Sequence, residues 1–373
     1  MKKTTIKLLL LLTVATFCLA SCDDNGEYDP RVSRLYIGMA SVNEYYLDTL
    51  LATRALPAGY TPYDTKAQVA DGTKIFLYLP TSTSASDPMT GTFGYYYEAK
   101  DSAGGWVSDD VEVVQNAHYG IFGYMPESAI ASSSITCASG YDPASNSSVT
   151  LTLNGIDAIC AEDVCVVVGH GDEVGTANDS PALGDHHYTG KAGTTDDKNQ
   201  VYLLMDHLFS QIDFRFKISN VYYLLRTVRI KSITLSATGT STVDATVPQT
   251  PNNSGVSSLG TVTWTTHSGS VTTSIYPRVA DETLLLTNNF QSVPGYFFPS
   301  GSRTPFSMTV NYDVLDRWGR VIRENQTATN TWTASNSFTF ERGKKYTVNV
   351  TVNPTYLYQL SDYDRDNPSF SFN

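Results

Sequence analysis

The sequence has little charge, and most of it is negative. Only 17% of its 373 residues are charged, with 25 Lys and Arg against 37 Asp and Glu, so the net charge is −12. An acidic surface repels phosphates, which argues against nucleic acid as a partner and against a polybasic contact with membranes. Hydrophobic residues reach 41%, which is enough for a sizeable core and excludes a disordered chain.

Long segments rich in Leu, Ala, Glu and Lys are also missing, so helices are not expected to dominate. Tyr (24) and Phe (15) are abundant instead, as is typical of strands. Short alternating runs separated by turn signals predict an all-β fold of antiparallel β-sandwiches. A length of 373 residues suits two such domains in tandem.

Catalytic motifs are absent from the sequence. It contains no Gly-x-Ser-x-Gly elbow, no phosphate-cradling Gly loop and no Cys–His pair at convincing spacing, so we expect no enzyme and no cofactor. The polar loop 169–199 gathers His and acidic residues, but their spacing matches no zinc or calcium pattern, and we expect no metal site. His207 directly follows Asp206; because strand neighbours point to opposite faces, a structural histidine is expected.

The first residues are typical of an export signal that ends at a lipid site. The apolar run Ile6–Leu19 is too short to span a bilayer stably. It closes with Leu19-Ala20-Ser21-Cys22, which resembles the lipobox of bacterial lipoproteins and implies cleavage before Cys22 and acylation, palmitate included, of that residue. Residues 1–21 are thus predicted to be a lipoprotein signal peptide and residues 22–34 a tether. The alternative is an ordinary secretory signal with an incidental Cys.

The three cysteines that follow Cys22 do not make a disulfide framework. Because Cys137, Cys160 and Cys165 are odd in number, at most one disulfide can form within the chain. Cys160 and Cys165 are awkward partners for each other, whereas Cys137 could pair with either one if their strands are neighbours. Buried thiols that serve as small apolar residues are the favoured alternative.

The strongest strand signal lies at Val201–Ile218. Apolar residues alternate with polar ones over its second half, which predicts a strand with one buried and one wet face. The preceding loop is long, polar and rich in Gly, so we place the domain boundary there: an N-terminal β-sandwich at 35–198 and a C-terminal one at 199–373. The Ser/Thr/Asn/Pro-rich segment 238–260 is expected to be a loop.

The order of these features resembles the fimbrillin family, the lipoprotein-derived subunits of type V pili. The resemblance covers nearly the whole chain and implies two transthyretin-like antiparallel β-sandwich domains in tandem. The motifs that carry it are the lipobox, Thr-Arg-Ala at Arg54, the early strand Asp71–Ile75, the aromatic strand Phe122–Pro126, the segment Leu203–Ile212 with His207 and Ser210, and the segment Phe340–Val348.

The resemblance implies a structural subunit of a cell-surface fimbrium at the outer membrane, which supports adhesion or biofilm formation. An Arg-specific cut between Arg54 and Ala55 would release the first strand, Leu35–Val42, together with its lipid. A strand from another subunit would then fill the open groove. The implied partners are other fimbrial subunits, the outer membrane through the lipid anchor before or without processing, and a receptor on a host or bacterial surface.

The last twenty residues are a candidate donor arm. Tyr356, Tyr358 and Leu360 alternate, a polar Asp-rich linker follows, and then Phe370 and Phe372 alternate. This pattern suits a mobile arm, but equally a last edge strand packed on its own domain.

A surface glycan-binding lipoprotein is the alternative function. Trp106, Trp318 and Trp332 could stack on sugars, although core packing or a hairpin lid explains these residues as well. The sequence does not distinguish a stalk, tip or anchor subunit.

Overall fold

A computed structural model describes part of the chain, and almost all of that part is β-structure. This confirms the all-β prediction. No helix within the described part is long and apolar enough to cross a membrane. The described residues are 34–42, 46–47, 73–79, 81–82, 94–99, 106–112, 118–119, 121–137, 148–160, 162–171, 186–187, 200–250, 258–299, 306–332, 340–353 and 369–372.

The strands are short to medium in length and follow one another with few helical residues between them. In chain order they are β1 (Arg34–Val42), β2 (Tyr46–Leu47), β3 (Lys74–Tyr78), β4 (Thr81–Ser82), β5 (Gly94–Ala99), β6 (Trp106–Glu112), β7 (His118–Tyr119), β8 (Phe122–Met125), β9 (Ser132–Cys137), β10 (Val149–Asp157), β11 (Cys165–Gly171), β12 (His186–His187), β13 (Gln200–His207), β14 (Phe209–Ile218), β15 (Arg226–Thr238), β16 (Thr242–Thr250), β17 (Ser258–Leu259), β18 (Thr263–His267), β19 (Ser270–Tyr276), β20 (Leu284–Leu285), β21 (Gln291–Pro299), β22 (Phe306–Asp316), β23 (Val321–Trp332), β24 (Lys344–Asn353) and β25 (Ser369–Phe372). Within the described residues, the helical elements are a 3₁₀ turn, Glu127–Ala129, and one short α-helix, α1 (Asn220–Tyr223).

Seven strands close into a barrel in the order β1-β13-β11-β8-β3-β5-β6. A second sheet, β17-β16-β10-β9 with β18 beside β16, shares one hydrophobic core with this ring. We call the ring and this sheet the barrel unit. Its core includes Ile75, Leu77, Phe122, Leu151, Val166, Leu203, Met205 and Val247.

Two further sheets enclose the second core. One has the order β2-β24-β14-β21 with β25 on β24, and the other has the order β19-β15-β22-β23 with β20 on β15. Phe214 of β14 meets Phe306 of β22 across the core with ring centroids 6.2 Å apart, in an edge-to-face arrangement. We call these two sheets the sandwich unit. The buried apolar face predicted for the second half of Val201–Ile218 is confirmed, since Ile212, Phe214, Phe216 and Ile218 are all fully buried.

Val201–Ile218 is two strands that belong to different units, and this corrects the expectation that it is one strand opening the second domain. β13 pairs with β1 and β11 in the barrel unit, whereas β14 pairs with β21 and β24 in the sandwich unit. The crossing lies at Leu208, whose N–H donates to the Val164 carbonyl at 2.9 Å. Residues 207–210 are all buried, so the alternation of buried and exposed residues stops where the chain changes sheet.

A long two-stranded ribbon also runs through both units. β15 pairs with β19 in the sandwich unit, and the continuing β16 pairs with β18 in the barrel unit. Between them, the N–H of Gly239 donates to the Gly269 carbonyl at 2.9 Å, so the ladder continues across the junction. The prediction of a loop over 238–260 is therefore wrong for β16, where the alternate residues Val243, Ala245 and Val247 are fully buried. The barrel unit takes strands from both sides of the predicted boundary at 198/199.

Most strand pairs are antiparallel, as predicted, but three of the described pairs are parallel. These are β1 with β13, β2 with β24 and β14 with β24. Two of the three involve strands that precede Arg54, so the start of the chain enters both units in the parallel sense.

Candidate functional site

The segment that precedes Arg54 closes the barrel. β1 lies between β13 and β6, parallel to the first and antiparallel to the second. Its register with β13 runs from Tyr36 opposite Gln200 to Val42 opposite Met205. Because β1 has a partner on each side, its removal would leave rows of N–H and C=O groups on two strands without their present partners.

The same segment also reaches the sandwich unit. β2 runs parallel to β24, with Tyr46 opposite Lys344 and Leu47 opposite Lys345. β14 pairs with the other side of β24 over eight residues, Lys345 to Val352. β2 therefore covers one end of the outer edge of β24.

The C-terminal strand covers the other end of that edge. β25 is antiparallel to β24, from Val350 opposite Phe372 to Asn353 opposite Ser369. Phe370 is buried, and its ring centroid lies 5.0 Å from that of Tyr312 on the facing sheet. The end of the candidate donor arm is thus an edge strand on its own sandwich unit, the alternative that the sequence pattern allows equally.

Several predicted site residues lie outside the described residues. They are the lipidation site Cys22, the proposed cut between Arg54 and Ala55, and the arm residues Tyr356, Tyr358 and Leu360. The roles of these residues stay predictions. Of Phe372, the backbone pairing is described and the side chain is not.

His207 lies in a buried polar cluster that sequence reasoning missed. Its Nδ1 is 2.5 Å from Oδ2 of Asp163 and 3.5 Å from Sγ of Cys165. The carboxylate of the adjacent Asp206 accepts hydrogen bonds from the backbone N–H of His207 at 2.9 Å and from Nη1 of Arg342 at 3.1 Å. It does not pair with the His207 imidazole, as predicted. No local pattern could indicate Asp163 as the partner, because it precedes His207 by 44 residues and reaches it only through the pairing of β11 with β13.

The two cysteines near this cluster are free and buried. Burial raises the pKa of the Cys165 thiol well above its usual value, and the negative charge of Asp163 adds to the effect. Burial likewise raises the pKa of Cys160 to about 12. Neither thiol is bonded to Cys137, which accords with the reading of these two residues as buried thiols.

One tryptophan is presented at a hairpin tip between β22 and β23. Trp318 is 65% exposed, with the Arg317 guanidinium 4.1 Å and the Arg320 guanidinium 5.1 Å from its ring centroid. Asp316 organises this turn by accepting hydrogen bonds from the backbone N–H groups of Trp318 and Arg320. The side chains of Trp106 and Trp332 lie outside the described residues.

The family comparison identifies the second part of the chain. Residues 183–362 match a family model described as fimbrillin-like. Over this range the chain is similar to the fimbrillin-like family. The match contains most of the sandwich unit and also β13, β16, β17 and β18 of the barrel unit. It confirms the resemblance for the motifs that lie within this range, Leu203–Ile212 and Phe340–Val348.

The chain is also similar to several solved structures. A protein from Bacteroides fragilis assigned to cell adhesion is 13% identical, with 91% of this chain and 97% of that chain covered and a TM-score of 0.39. A fimbrial protein from Bacteroides vulgatus is 12% identical, with 91% of this chain and 98% of that chain covered and a TM-score of 0.36. The fimbrial anchor protein Mfa2 from Porphyromonas gingivalis is 8% identical, with 89% of this chain and 94% of that chain covered and a TM-score of 0.25. No curated protein matches the chain.

Proposed function

We propose that the chain is a structural, non-enzymatic subunit of a cell-surface fimbrium that assembles by strand exchange and supports adhesion or biofilm formation. The fimbrillin-like family supports the fimbrial role. One observation carries the assembly mechanism: β1 and β2 both precede Arg54, and they supply strands to the barrel unit and the sandwich unit respectively.

A cut between Arg54 and Ala55 would free both strands at once. The barrel unit would lose the strand that joins β13 to β6, and the sandwich unit would lose the strand at one end of β24. Open edges of this kind are completed by an extended strand from a partner, whose main-chain hydrogen bonds provide affinity. Before the cut, acylated Cys22 would hold the subunit in the outer membrane at the cell surface.

The donor strand is the C-terminal segment in this proposal. In the isolated chain β25 is held by its pairing with β24 and by the burial of Phe370. To be donated it must leave that edge and carry Tyr356, Tyr358, Leu360 and Phe372 with it into another subunit. An arm docked on its own sheet before assembly would be protected from premature pairing.

The test is cleavage of the full-length chain by an Arg-specific protease. We expect mass spectrometry to find a new N-terminus at Ala55, and unheated denaturing gels to show a ladder of oligomers. An Arg54→Lys variant should lose both, whereas the matched Arg34→Lys variant, altered within β1, should keep both. Cleavage at Ala55 with only monomers on the gel would contradict assembly by strand exchange.

A truncated chain tests which strand is donated. A chain that ends at Asn353 lacks β25 and the whole candidate arm, yet retains β1, β2 and the Arg54 site. After cleavage it should remain monomeric, since its open edges would have no arm to accept. A ladder of normal length from this truncated chain would mean that β25 is a resident edge strand and that another segment is donated.

Glycan binding is a second candidate function, and the exposure of Trp318 favours it. An exposed indole flanked by guanidinium groups could stack on a sugar ring and bind its polar groups. Electrophoresis through polysaccharide gels would test this candidate. Retardation of the full chain that disappears in Trp318→Ala and persists in Trp264→Phe, altered at a partly buried position against Phe209, would support it. Equal mobility with and without polysaccharide would exclude it for the glycans tested.

A further inference from the structure

We propose that Asp163, Cys165 and His207 form a zinc site with a solvent molecule as the fourth ligand. The three side chains each offer one ligand atom, and these atoms all lie within 4.8 Å of one another. A carboxylate oxygen, an imidazole nitrogen and a thiolate sulfur are the ligand types that Zn²⁺ takes.

The spacing of sulfur and nitrogen already fits a bound ion. With Zn–S and Zn–N bonds of about 2.3 and 2.0 Å, tetrahedral ligands are separated by about 3.5 Å. Cys165 Sγ and His207 Nδ1 lie 3.5 Å apart. Because β11 pairs with β13 and sets Cys165 directly opposite His207, the strand register fixes this separation.

The carboxylate needs a small movement to join them. Asp163 Oδ2 is 2.5 Å from Nδ1, whereas oxygen and nitrogen ligands of one tetrahedral zinc are about 3.3 Å apart, so it must withdraw by about 0.8 Å. Asp163 precedes β11 and its side chain is 21% exposed, against 3% for His207. The residue that has to move is therefore also the one in contact with solvent, from which the fourth ligand would come.

The charges of the site also suit a divalent cation. The thiolate and the carboxylate together carry two negative charges, which balance Zn²⁺, and the imidazole binds in its neutral form. A bound ion would therefore not leave a net charge in a buried place, where an uncompensated charge is costly. Binding must displace the Cys165 proton, so affinity should fall as the pH falls.

The position of the site gives a consequence for stability. His207 ends β13, one residue before the chain crosses at Leu208 into the sandwich unit. The neighbouring Asp206 forms an ion pair with Arg342 beside the sandwich unit. An ion held by β11 and β13 would fix the last residues of the barrel unit before the crossing, and zinc should raise the melting temperature of the chain.

The experiment is metal titration of the full-length chain in reduced, metal-free form. We expect one equivalent of Co²⁺ to give the near-ultraviolet sulfur-to-cobalt charge-transfer absorbance of a thiolate ligand, and Zn²⁺ to displace it. His207→Asn should lower the zinc affinity by at least about tenfold, and Cys165→Ser should abolish the absorbance. Cys160→Ser is the matched control, since this buried thiol is not among the three ligands and its loss should leave binding unchanged.

Two outcomes would overturn the proposal. The first is a native chain that shows neither the absorbance with equimolar Co²⁺ nor a higher melting temperature with Zn²⁺, which needs no variant and is independent of any folding defect. The second is an absorbance that survives Cys165→Ser, which would place the metal at another thiol. Neither outcome bears on strand exchange, so the fimbrial role stands or falls separately.

Discussion

The barrel unit and the sandwich unit differ in how much they depend on the start of the chain. β1 has partners on both sides and completes a closed ring, whereas β2 adds two residues at one sheet edge. The C-terminal β25 covers four residues of that same edge. Among the described strands, none other than β1 lies between β13 and β6, whereas the sandwich unit has edge cover from the C-terminal β25.

This difference gives the two units different parts in assembly. A closed ring buries all of its edges, so it stays inert until one strand is removed. A sheet whose outer edge is shared by two short strands can exchange one of them while the other keeps part of the ladder. We therefore expect processing to act mainly on the barrel unit and donation to act mainly on the sandwich unit.

The largest expected effect is that of removing residues 1–54. Backbone amides of β6 and β13 should exchange about 100-fold faster, because each strand loses one ladder, whereas those of β14 should change little. Hydrogen-exchange mass spectrometry of the two chains measures this contrast. A chain that lacks only residues 1–33 retains β1 and is the control. Unchanged protection of β13 after removal of residues 1–54 would show that the barrel does not depend on β1.

The next effect tests whether the two units unfold separately. Phe306→Ala removes a buried ring from the sandwich core and should cost about 3–5 kcal/mol in the free energy of unfolding. Because the ribbon of β15–β16 with β18–β19 joins the units, we expect one shared transition, with β3 and β8 of the barrel unit losing protection as well. Denaturant unfolding followed by circular dichroism and hydrogen exchange measures both quantities.

A matched variant completes this test. Leu203→Ala, in the barrel core, should lower the same transition by about 2–5 kcal/mol, whereas the exposed Val279→Ala should change it by less than about 0.5 kcal/mol. Two separate transitions, each affected by only one of the core variants, would contradict the coupling and support independent tandem domains.

The sequence predicts individual strands well wherever one face is buried. The alternation in Phe306–Val314 and in the second half of Val201–Ile218 corresponds to fully or almost fully buried side chains in β22 and β14. A period of two follows directly from the pleat of a strand, so a sheet with one wet face makes this pattern visible in the sequence. The all-β class follows from the sum of such segments.

The order in which the strands meet could not be predicted in the same way. β16 has small buried residues among Thr, Asp and Pro, so its apolar face is weak in the sequence although it lies in the barrel core. The contact of Asp163 with His207 depends on the pairing of β11 with β13, which no local spacing encodes. Non-local pairing sets both features, and a single sequence carries little information about it.

A smaller effect on stability is expected from replacing two glycines, one required by close packing and the other by its backbone conformation. A Cβ on Gly123 of β8 would lie 2.2 Å from the Phe76 carbonyl oxygen, so Gly123→Ala should cost about 1–3 kcal/mol. Gly319, at the β22–β23 turn, has open space around it but a φ of +81°, so Gly319→Ala should cost about 1–2 kcal/mol because Ala is placed in the left-handed region. Thermal unfolding of both Ala variants compares them.

Asn substitutions sharpen this contrast, because Asn tolerates the left-handed region and is larger than Ala. Gly319→Asn should recover most of the stability lost in Gly319→Ala, and Gly123→Asn should be worse than Gly123→Ala. If the Asn variant were more stable than the Ala variant at both positions, close packing in the barrel would not be the reason that Gly123 is required.

The smallest expected effect is a pH dependence that differs between the units. Burial alone would raise the pKa of Asp313 in the sandwich unit, but hydrogen bonds from Arg229 and the Asn325 N–H, with the charge of Lys231, hold that pKa below its usual value. Burial would also raise the pKa of Asp244 in the barrel unit, but hydrogen bonds from the Gly155 N–H and from His267 hold that pKa below its usual value.

A carboxylate with a lowered pKa stabilises the fold above its unfolded pKa of about 3.9, and this contribution is lost as the pH falls through the folded value. Asp313→Asn should therefore cost on the order of 1 kcal/mol at pH 7, and the difference from the native chain should shrink below about pH 4. Asp244→Asn should show the same trend with a smaller amplitude, because the side chain of Asp244 is 24% exposed and that of Asp313 only 2%. Denaturant unfolding between pH 3 and pH 7 measures the free energy of unfolding of both variants against pH. An Asp244→Asn effect as large as that of Asp313→Asn would show that burial does not set the strength of these carboxylate contacts.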